Sequence, residues 1–447
     1  MSNETIAAPA TPLGRGAIAI VRLSGSKAYE IALKVTRRQN LTPRYAHLLF
    51  LHNENGDPID RAIVLFFAAP KSYTGEDIVE FQTHGGFAAA NALIAELVRL
   101  GARIARAGEF SLRAVQNGKM NAAEAEAAAA LSVARSAKAA TLLARQLGGE
   151  LERFTNDLRT RILRLIAYAE TTIDYAEDVG ETALEAMRRD IDELGAVLAE
   201  TIASSRRRRG VLRGYEAVII GKPNAGKSSL LNALLGRARA IVSSEAGTTR
   251  DLIAEELLVG EHLVRLLDTA GLRKGAGEIE TIGIEYARDA AAKADLIIAL
   301  FDGSKPLEDS DRETLGLIAS LGSSRAVIAA INKSDLPPQF DSAALAGVQT
   351  VHISAMSDVA PLIAALQTLL DREAGGEEML LVSERQIALT TAAATEIAAA
   401  KNCFENGELE LFSYSCRDAL AHIGALTRPA EYGEMLDIMF GEFCLGK

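Results

Sequence analysis

The chain has no tryptophan, and phenylalanine and tyrosine bring the aromatic share to only 5%. So few flat rings argue against a large base-stacking platform for single-stranded nucleic acid. Cysteine is equally sparse. Cys403, Cys416 and Cys444 are three in 447 residues, which gives no disulfide framework and fits a reducing compartment. No run of about 18 apolar residues occurs, and Met1 to Gly16 lacks a basic stretch followed by an apolar core. The expectation is therefore a soluble, cytoplasmic protein with no membrane segment. A basic excess is missing too. With 48 Lys and Arg against 59 Asp and Glu, the net charge is −11, so any contact with RNA must come from a local basic patch. Cys444-Leu445-Gly446-Lys447 has the outline of a prenylation box, but Gly and Lys in its last two positions make that reading poor.

Proline is also absent from Lys71 through Lys222. The length suggests about three domains. Residues 1–118 mix short β-rich runs (Ala17 to Leu23, Ile63 to Phe67, Ile78 to Gln82) with one amphipathic helix, Phe87 to Leu100, stopped by Gly101. This is an α+β pattern. From 119 to 212 Ala, Leu, Glu and Arg dominate. Leu147, Leu151, Phe154, Leu158, Ile162, Leu165 and Ala169 form one stripe on a long helix, and Leu184, Met187, Ile191, Leu194, Leu198 and Ile202 form a second. Neither stripe is stable facing water, so the helices are expected to pack on one another. The Arg206-Arg207-Arg208-Arg209-Gly210 junction reads first as a solvated helix end and linker, with phosphate binding the lesser alternative. Residues 213–373 alternate apolar runs with helical segments, which implies a mostly parallel sheet covered on both faces. From 374 to 447 the helical composition returns. The economical architecture is multidomain α/β, with an N-terminal α+β domain and a helical domain into which an α/β domain is inserted.

The inserted part carries the densest chemistry. Gly221-Lys222-Pro223-Asn224-Ala225-Gly226-Lys227-Ser228 stands between the apolar run Tyr215 to Ile220 and the helical Ser229 to Leu235. A strand, a Gly-x4-Gly-Lys-Ser loop and a helix make a phosphate cradle: backbone N–H groups wrap the anion, and the helix N-terminus adds its dipole. Lys227 is positioned to reach the β and γ oxygens, and Ser228 to ligate Mg2+. Further parts follow in order. Asp268-Thr269-Ala270-Gly271 puts a carboxylate on the metal side and a Gly N–H near the γ-phosphate. Asn332-Lys333-Ser334-Asp335 ends a strand, and the Asp335 carboxylate can accept from two guanine donors that adenine lacks. Ser354-Ala355-Met356 is expected to close over the base. Between loop and Asp268 lies Ser243-Ser244-Glu245-Ala246-Gly247-Thr248-Thr249-Arg250-Asp251, the place of a switch, with Thr249 the candidate second Mg2+ ligand. Four ordered motifs predict GTP binding. Leu272 stands where many GTPases of this fold carry the glutamine that orients the attacking water, so that group must come from elsewhere.

The string from Gly221 to Asn232, with Ala246 to Asp251 and Asp268 to Arg273, resembles the Era/Der/MnmE group of P-loop translation GTPases. The flanks are more specific: Thr11 to Gly25, Ser72 to Asp77, Gly108 to Ala114 and Phe443 to Lys447. Over essentially the whole chain these are similar to the MnmE (TrmE) family of tRNA-modification GTPases. The resemblance implies a K+ ion beside the phosphates in place of an arginine finger, at positions matching Asn224, Ser243, Glu245 and Thr248. Such a finger is worth roughly 10³ to 10⁵ in rate. It implies Glu280 as the water-orienting acid, where the residue read alone is a solvated loop acid.

The resemblance further implies that residues 1–118 bind a formyl-tetrahydrofolate and form a homodimer, with Arg22, Glu80, Lys119 and Lys447 at the folate. Read alone, Arg22 ends a strand and Glu80 sits within one, and either is equally well a surface charge. His84 reads as structural. Cys444 matches the family's functional thiol, whereas Cys403 and Cys416 read as small buried hydrophobes. Implied partners are tRNA and an MnmG/GidA-type flavoprotein, carrying the FAD and forming a heterotetramer. The implied activity is GTP-driven modification at C5 of the wobble uridine. The competing reading is an Era-like regulatory switch that binds RNA or ribosomes. Against it stand the N-terminal domain, the terminal cysteine and the lack of an appended Lys/Arg-rich module. A plain folate-dependent aminomethyl transferase is weaker still, because it leaves the GTP motifs unused.

Overall fold

In the computed structural model of the chain, one six-stranded sheet is built from the first 104 residues and a second from residues 215–352, with helices before, between and after them. The structure describes residues 4–12, 14–174, 181–237, 254–267, 289–321, 326–376, 379–428 and 446. In chain order the strands and helices begin β1 (Ile6–Pro9), β2 (Ile18–Ser24), α1 (Ala28–Thr36), β3 (His47–His52), β4 (Pro58–Phe67), β5 (Ile78–His84), α2 (Phe87–Arg99), β6 (Arg103–Ile104) and α3 (Glu109–Gln116). Helices α4 (Ala122–Val133), α5 (Ala137–Leu147), α6 (Glu150–Asp174), α7 (Glu181–Arg207) and α8 (Arg209–Arg213) follow. Then come β7 (Tyr215–Ile220), α9 (Lys227–Arg237), β8 (Ala254–Val259), β9 (His262–Leu267), β10 (Leu296–Asp302), α10 (Asp309–Leu321), β11 (Ala326–Asn332), β12 (Gln349–His352) and α11 (Ala360–Ala374). The last two are α12 (Glu384–Glu405) and α13 (Leu409–Thr427).

Two compact units result, one of residues 1–132, 144–198 and 383–447, the other of 133–143 and 199–382. The first holds a sheet in the order β3-β4-β5-β2-β1-β6, antiparallel except for the β1–β6 pair. Its inward residues, among them Val21, Leu23, Val64, Val79 and Phe81, pack against Ile31 and Val35 of α1 and Leu93 and Leu97 of α2. The strands outrun the apolar signal: β4 begins at Pro58 because its polar first half still pairs with β3.

In the same unit, Leu158, Ile162 and Leu165 of α6, Ile191 and Leu194 of α7, Ile397 of α12 and Phe412 and Cys416 of α13 share one core. Helices before and after the α/β domain thus bury each other's apolar stripes, so that domain is an insertion into a helical one. The first stripe lies on two helices rather than the single expected one. Gly148 and Gly149 separate α5 from α6, with Gly149 at φ +78°, a left-handed turn that ends a helix cheaply.

The second unit contains the order β12-β11-β10-β7-β9-β8, parallel throughout except for the β8–β9 pair. Alternation puts Ala217 and Ile219 of β7 with Ile298 and Leu300 of β10 on one face, and Val218 and Ile220 with Ala299 and Phe301 on the other. Both faces are buried, as a parallel sheet requires. The arginine run divides: Arg206, Arg207 and Arg209 are exposed, but Arg208 is buried. It donates at 2.7 Å to the carbonyl of Gly376, just past α11. Arg208 therefore ties the start of α8 to the chain just beyond α11, and only its neighbours in the run are exposed.

Candidate functional site

The loop from Gly221 to Gly226 leaves the C-terminal end of β7, at the centre of the parallel sheet, and delivers the chain to α9. Ligands of open parallel sheets bind at this end of the strands. Gly221 takes φ +146°, and a Cβ there would meet the Leu300 carbonyl oxygen at 2.3 Å, so only glycine lets the loop pass β10. Asn224 is left-handed at φ +61° and exposed, as is Ser229, while Ala225 is fully buried and Gly226 and Ser228 half-buried. The Lys227 ammonium donates to the carbonyls of Gly221 (2.7 Å) and Lys222 (2.9 Å). Burial alone pulls its pKa below the ordinary lysine value.

The base-side motifs are joined to this loop through Asn332. Its Nδ2 donates to the Ala225 carbonyl at 2.8 Å, and its Oδ1 accepts from the Ala355 N–H at 2.8 Å. Ser334 N–H donates to the Ile353 carbonyl at 3.0 Å. Lys333, at φ +63°, gives its ammonium to Asp302 at 2.6 Å. Burial raises the Asp302 pKa, but the bonds from Lys333 and Ser304 outweigh it and hold the carboxyl below its ordinary value. Asp335 is exposed, Ser354 buried, and Met356 85% exposed. Ser229, Ala355 and Met356 line one cavity of about 470 Å³ between α9 and the turn after β12. Ser243, Ser244, Glu245, Ala246, Gly247, Thr248, Thr249, Asp268, Thr269, Ala270, Gly271, Leu272 and Glu280 lie outside the described residues.

A second polar cluster lies in the N-terminal sheet. Arg22 of β2 and Glu80 of β5 are register partners, and their side chains meet at 2.9 Å while less than 20% exposed. The Arg22 guanidinium lies 5.2 Å from the Tyr73 ring and 5.6 Å from the Phe110 ring, both of which favour a cation. It also donates to the Gly446 carbonyl at 3.3 Å, so the end of the chain reaches the same residues. Arg22 is interior to its strand, which continues to Ser24. Lys119 is exposed, with its aliphatic part against Gly75. Lys447 and Cys444 lie outside the described residues. His84 pairs with Asp60 at 2.7 Å.

Sequence reasoning passed over what holds this cluster. Arg113, 6% exposed, binds Glu76 at 3.0 Å and Glu109 at 3.1 Å, and Ser24 donates to Glu76 at 2.8 Å. The acidic and basic residues of the Ser72 to Asp77 and Gly108 to Ala114 stretches therefore brace each other. Their place in these two motif stretches was the available signal, but the pairing depends on residues far apart in the chain.

A family model described as "GTP-binding protein TrmE N-terminus" matches residues 5–119, and one described as "MnmE helical domain" matches residues 123–444. The chain belongs to the MnmE family of tRNA modification GTPases. Relatives named tRNA modification GTPase MnmE from Aliarcobacter butzleri and from a Nitratiruptor species are each 46% identical, over 100% of this chain and 99% of their own. A solved structure of Era with MgGDPNP and a fragment of 16S ribosomal RNA is 28% identical over 41% of this chain and 66% of its own. Its TM-score is 0.27, too low for that likeness to carry an argument. As an MnmE family member the chain is a P-loop GTPase that binds GTP. The MnmE helical model runs across the inserted α/β domain, in keeping with the single core shared by α6, α7, α12 and α13.

Proposed function

We propose that this protein couples GTP hydrolysis to the addition of an aminomethyl or carboxymethylaminomethyl group at C5 of the wobble uridine of certain tRNAs. The carbon comes from a formyl-tetrahydrofolate held by Arg22, Glu80, Lys119 and Lys447, and Cys444 serves the chemistry beside it. An MnmG/GidA-type flavoprotein brings the FAD, and the working assembly is a heterotetramer built on a homodimer of this chain in the cytoplasm. The division at 1–118, 119–212, 213–373 and 374–447 assigns folate binding and dimerisation to the first part and GTP to the third.

In the GTP site Lys227 binds the β and γ oxygens, Ser228 and Thr249 ligate Mg2+, and Asp335 reads guanine. Asn224, Ser243, Glu245 and Thr248 hold K+, and Glu280 orients the water. When bound, Mg2+ and K+ supply positive charge where the transferring phosphoryl group develops negative charge. Ser228 at the first turn of α9 offers Mg2+ the hard oxygen that it prefers.

The observation that carries this reading is full-length similarity, at 46% identity, to relatives named for tRNA modification. The meeting of Arg22, Glu80 and the Gly446 carbonyl supports it, because it brings a carboxylate and a guanidinium to one place. Nucleoside analysis of tRNA from a strain lacking the gene tests it: the modified wobble uridine is expected to disappear, and unchanged wobble uridines overturn it in favour of an Era-like switch. GTP turnover in Na+ instead of K+ tests the cation separately. An unchanged rate removes K+ from the site.

A further inference from the structure

The segment between β10 and α10 touches both ends of the nucleotide site without belonging to any of its motifs. At its start, Gly303 N–H donates to the Asn332 carbonyl at 2.8 Å and Asp302 accepts from Lys333. At its far end, the Lys222 ammonium donates to Asp311 at 2.8 Å and Glu308 at 3.0 Å. Lys222 and Asp311 are buried, their side chains 4% and 1% exposed, and Glu308 is half-exposed. Glu308 N–H also donates to the same Asp311 oxygen at 3.0 Å, so the turn into α10 is closed around the pair.

Lys222 lies inside the phosphate loop, yet its charge is spent on two carboxylates rather than offered to a ligand. Its backbone is the part that reaches the site, because its carbonyl receives the Lys227 ammonium at 2.9 Å. Burial works against a charged Lys222, and the two carboxylates outweigh it, keeping the ammonium protonated. A loop whose backbone N–H groups and lysine must meet phosphate oxygens within tenths of an ångström gains from such an anchor, since a 1 Å misplacement of a reacting group can cost about 100-fold in rate.

We propose that Asp302 to Asp311 is a positioning bracket for nucleotide binding. Asp311 and Glu308 hold Lys222, and through its carbonyl the Lys227 ammonium, while Asp302 and Gly303 hold Lys333 and Asn332. Lys222 and Asp311 are positioning residues for the phosphates, and Asp302 is one for the base. The inference rests on the reading of Gly221 to Ser228 as the phosphate loop.

The test is equilibrium binding of fluorescent GTP and GDP analogues, and of the inosine counterpart, to the full-length chain. The variants are Lys222→Met, Lys222→Arg, Asp311→Asn, Glu308→Gln, Asp302→Asn and Lys227→Ala, each with its thermal unfolding curve. Lys222→Met and Asp311→Asn are expected to weaken GTP and GDP alike, about tenfold, leaving the guanosine-to-inosine preference unchanged. Lys222→Arg is expected to recover most of the loss. Asp302→Asn is expected to lower that preference instead. Wild-type affinity in folded Lys222→Met and Asp311→Asn overturns the phosphate half of the bracket, and an unchanged preference in Asp302→Asn overturns the base half. If the buried variants do not fold, Glu308→Gln decides: a two- to threefold weakening is expected at this half-exposed partner, and none overturns the proposal. Lys227→Ala separates the two levels. If it binds nucleotide normally, the phosphate-loop reading itself fails, whereas loss in Lys227→Ala alone sinks only the bracket.

Discussion

The side-chain amide of Asn332 and the backbone of Gly226 occupy adjoining space, and a Cβ placed on Gly226 would stand 2.3 Å from Nδ2 of Asn332. That nitrogen is the donor to the Ala225 carbonyl, so the absence of a side chain at 226 is what lets the base-side motif grip the phosphate loop. Gly226 also takes φ +103°, where L-residues are strained. Gly226→Ala is expected to expel the Asn332 amide and to lower GTP affinity by about 100-fold. Nucleotide titration of the folded variant checks this, and wild-type affinity would show the contact to be dispensable.

The bracing of the N-terminal unit predicts a pH dependence. Glu109, at the start of α3, accepts from Arg103 at 2.7 Å, from Arg113 at 3.1 Å and from the Arg106 N–H at 2.8 Å. Burial pushes its pKa up, but Arg103 and these further donors win and bring it from the ordinary 4.5 to about 2. A depressed carboxylate pKa contributes stability that is complete above the unfolded value and lost as pH falls through the folded one. Thermal midpoints of wild type and Glu109→Gln should therefore differ most above about pH 4.5. They should converge as pH approaches 2. A gap that stays constant over that range would refute the assignment.

Much of this was legible because it is local. A strand, a glycine loop and a helix follow one another in sequence, so Gly221 to Leu235 announces its own geometry, and the near-continuous apolar runs of β7, β10 and β11 mark a sheet buried on both faces. What escaped is non-local or is a matter of packing. Nothing in the loop sequence singles out Lys222, because its partner Asp311 lies 89 positions on. Arg208 reads as one of four solvated arginines until Gly376 supplies its acceptor. Asn332 reads as a base-motif residue, and only its contacts with Ala225 and Ala355 show it to be the clasp between the two halves of the site. The Gly148-Gly149 break was visible in the letters, but the apolar spacing runs straight across it, and periodicity cannot see a turn that preserves phase.

Cysteine reactivity follows from burial. Cys416 is fully buried in the core of α6, α7, α12 and α13, whereas Cys403 is partly exposed. Desolvation is the main cause that pushes the Cys416 thiol up to about 12, and the thiolate is the reactive form. Alkylation of the native protein at pH 8, mapped by mass spectrometry, should label Cys403 well before Cys416. Cys416→Ser should cost about 1–3 kcal/mol, because it buries a hydroxyl in an apolar site. Equal labelling rates would mean that the core opens far more readily than its packing implies.

The Arg22–Glu80 pair offers the sharpest separation between a structural and a ligand-binding role. Direct cross-strand opposition and two aromatic rings already hold Arg22 in place, so the sheet does not depend on Glu80 alone. If Glu80 reads the amino-pyrimidine edge of a pterin, Glu80→Gln removes one charge-assisted acceptor while keeping the shape. The expected result is a formyl-tetrahydrofolate affinity lower by about tenfold, with a thermal midpoint near that of wild type. If the pair only fastens β2 to β5, the midpoint falls and the affinity of the folded protein does not. Calorimetric titration and thermal unfolding of the same preparation distinguish the two, and unchanged folate affinity removes Glu80 from the proposed site.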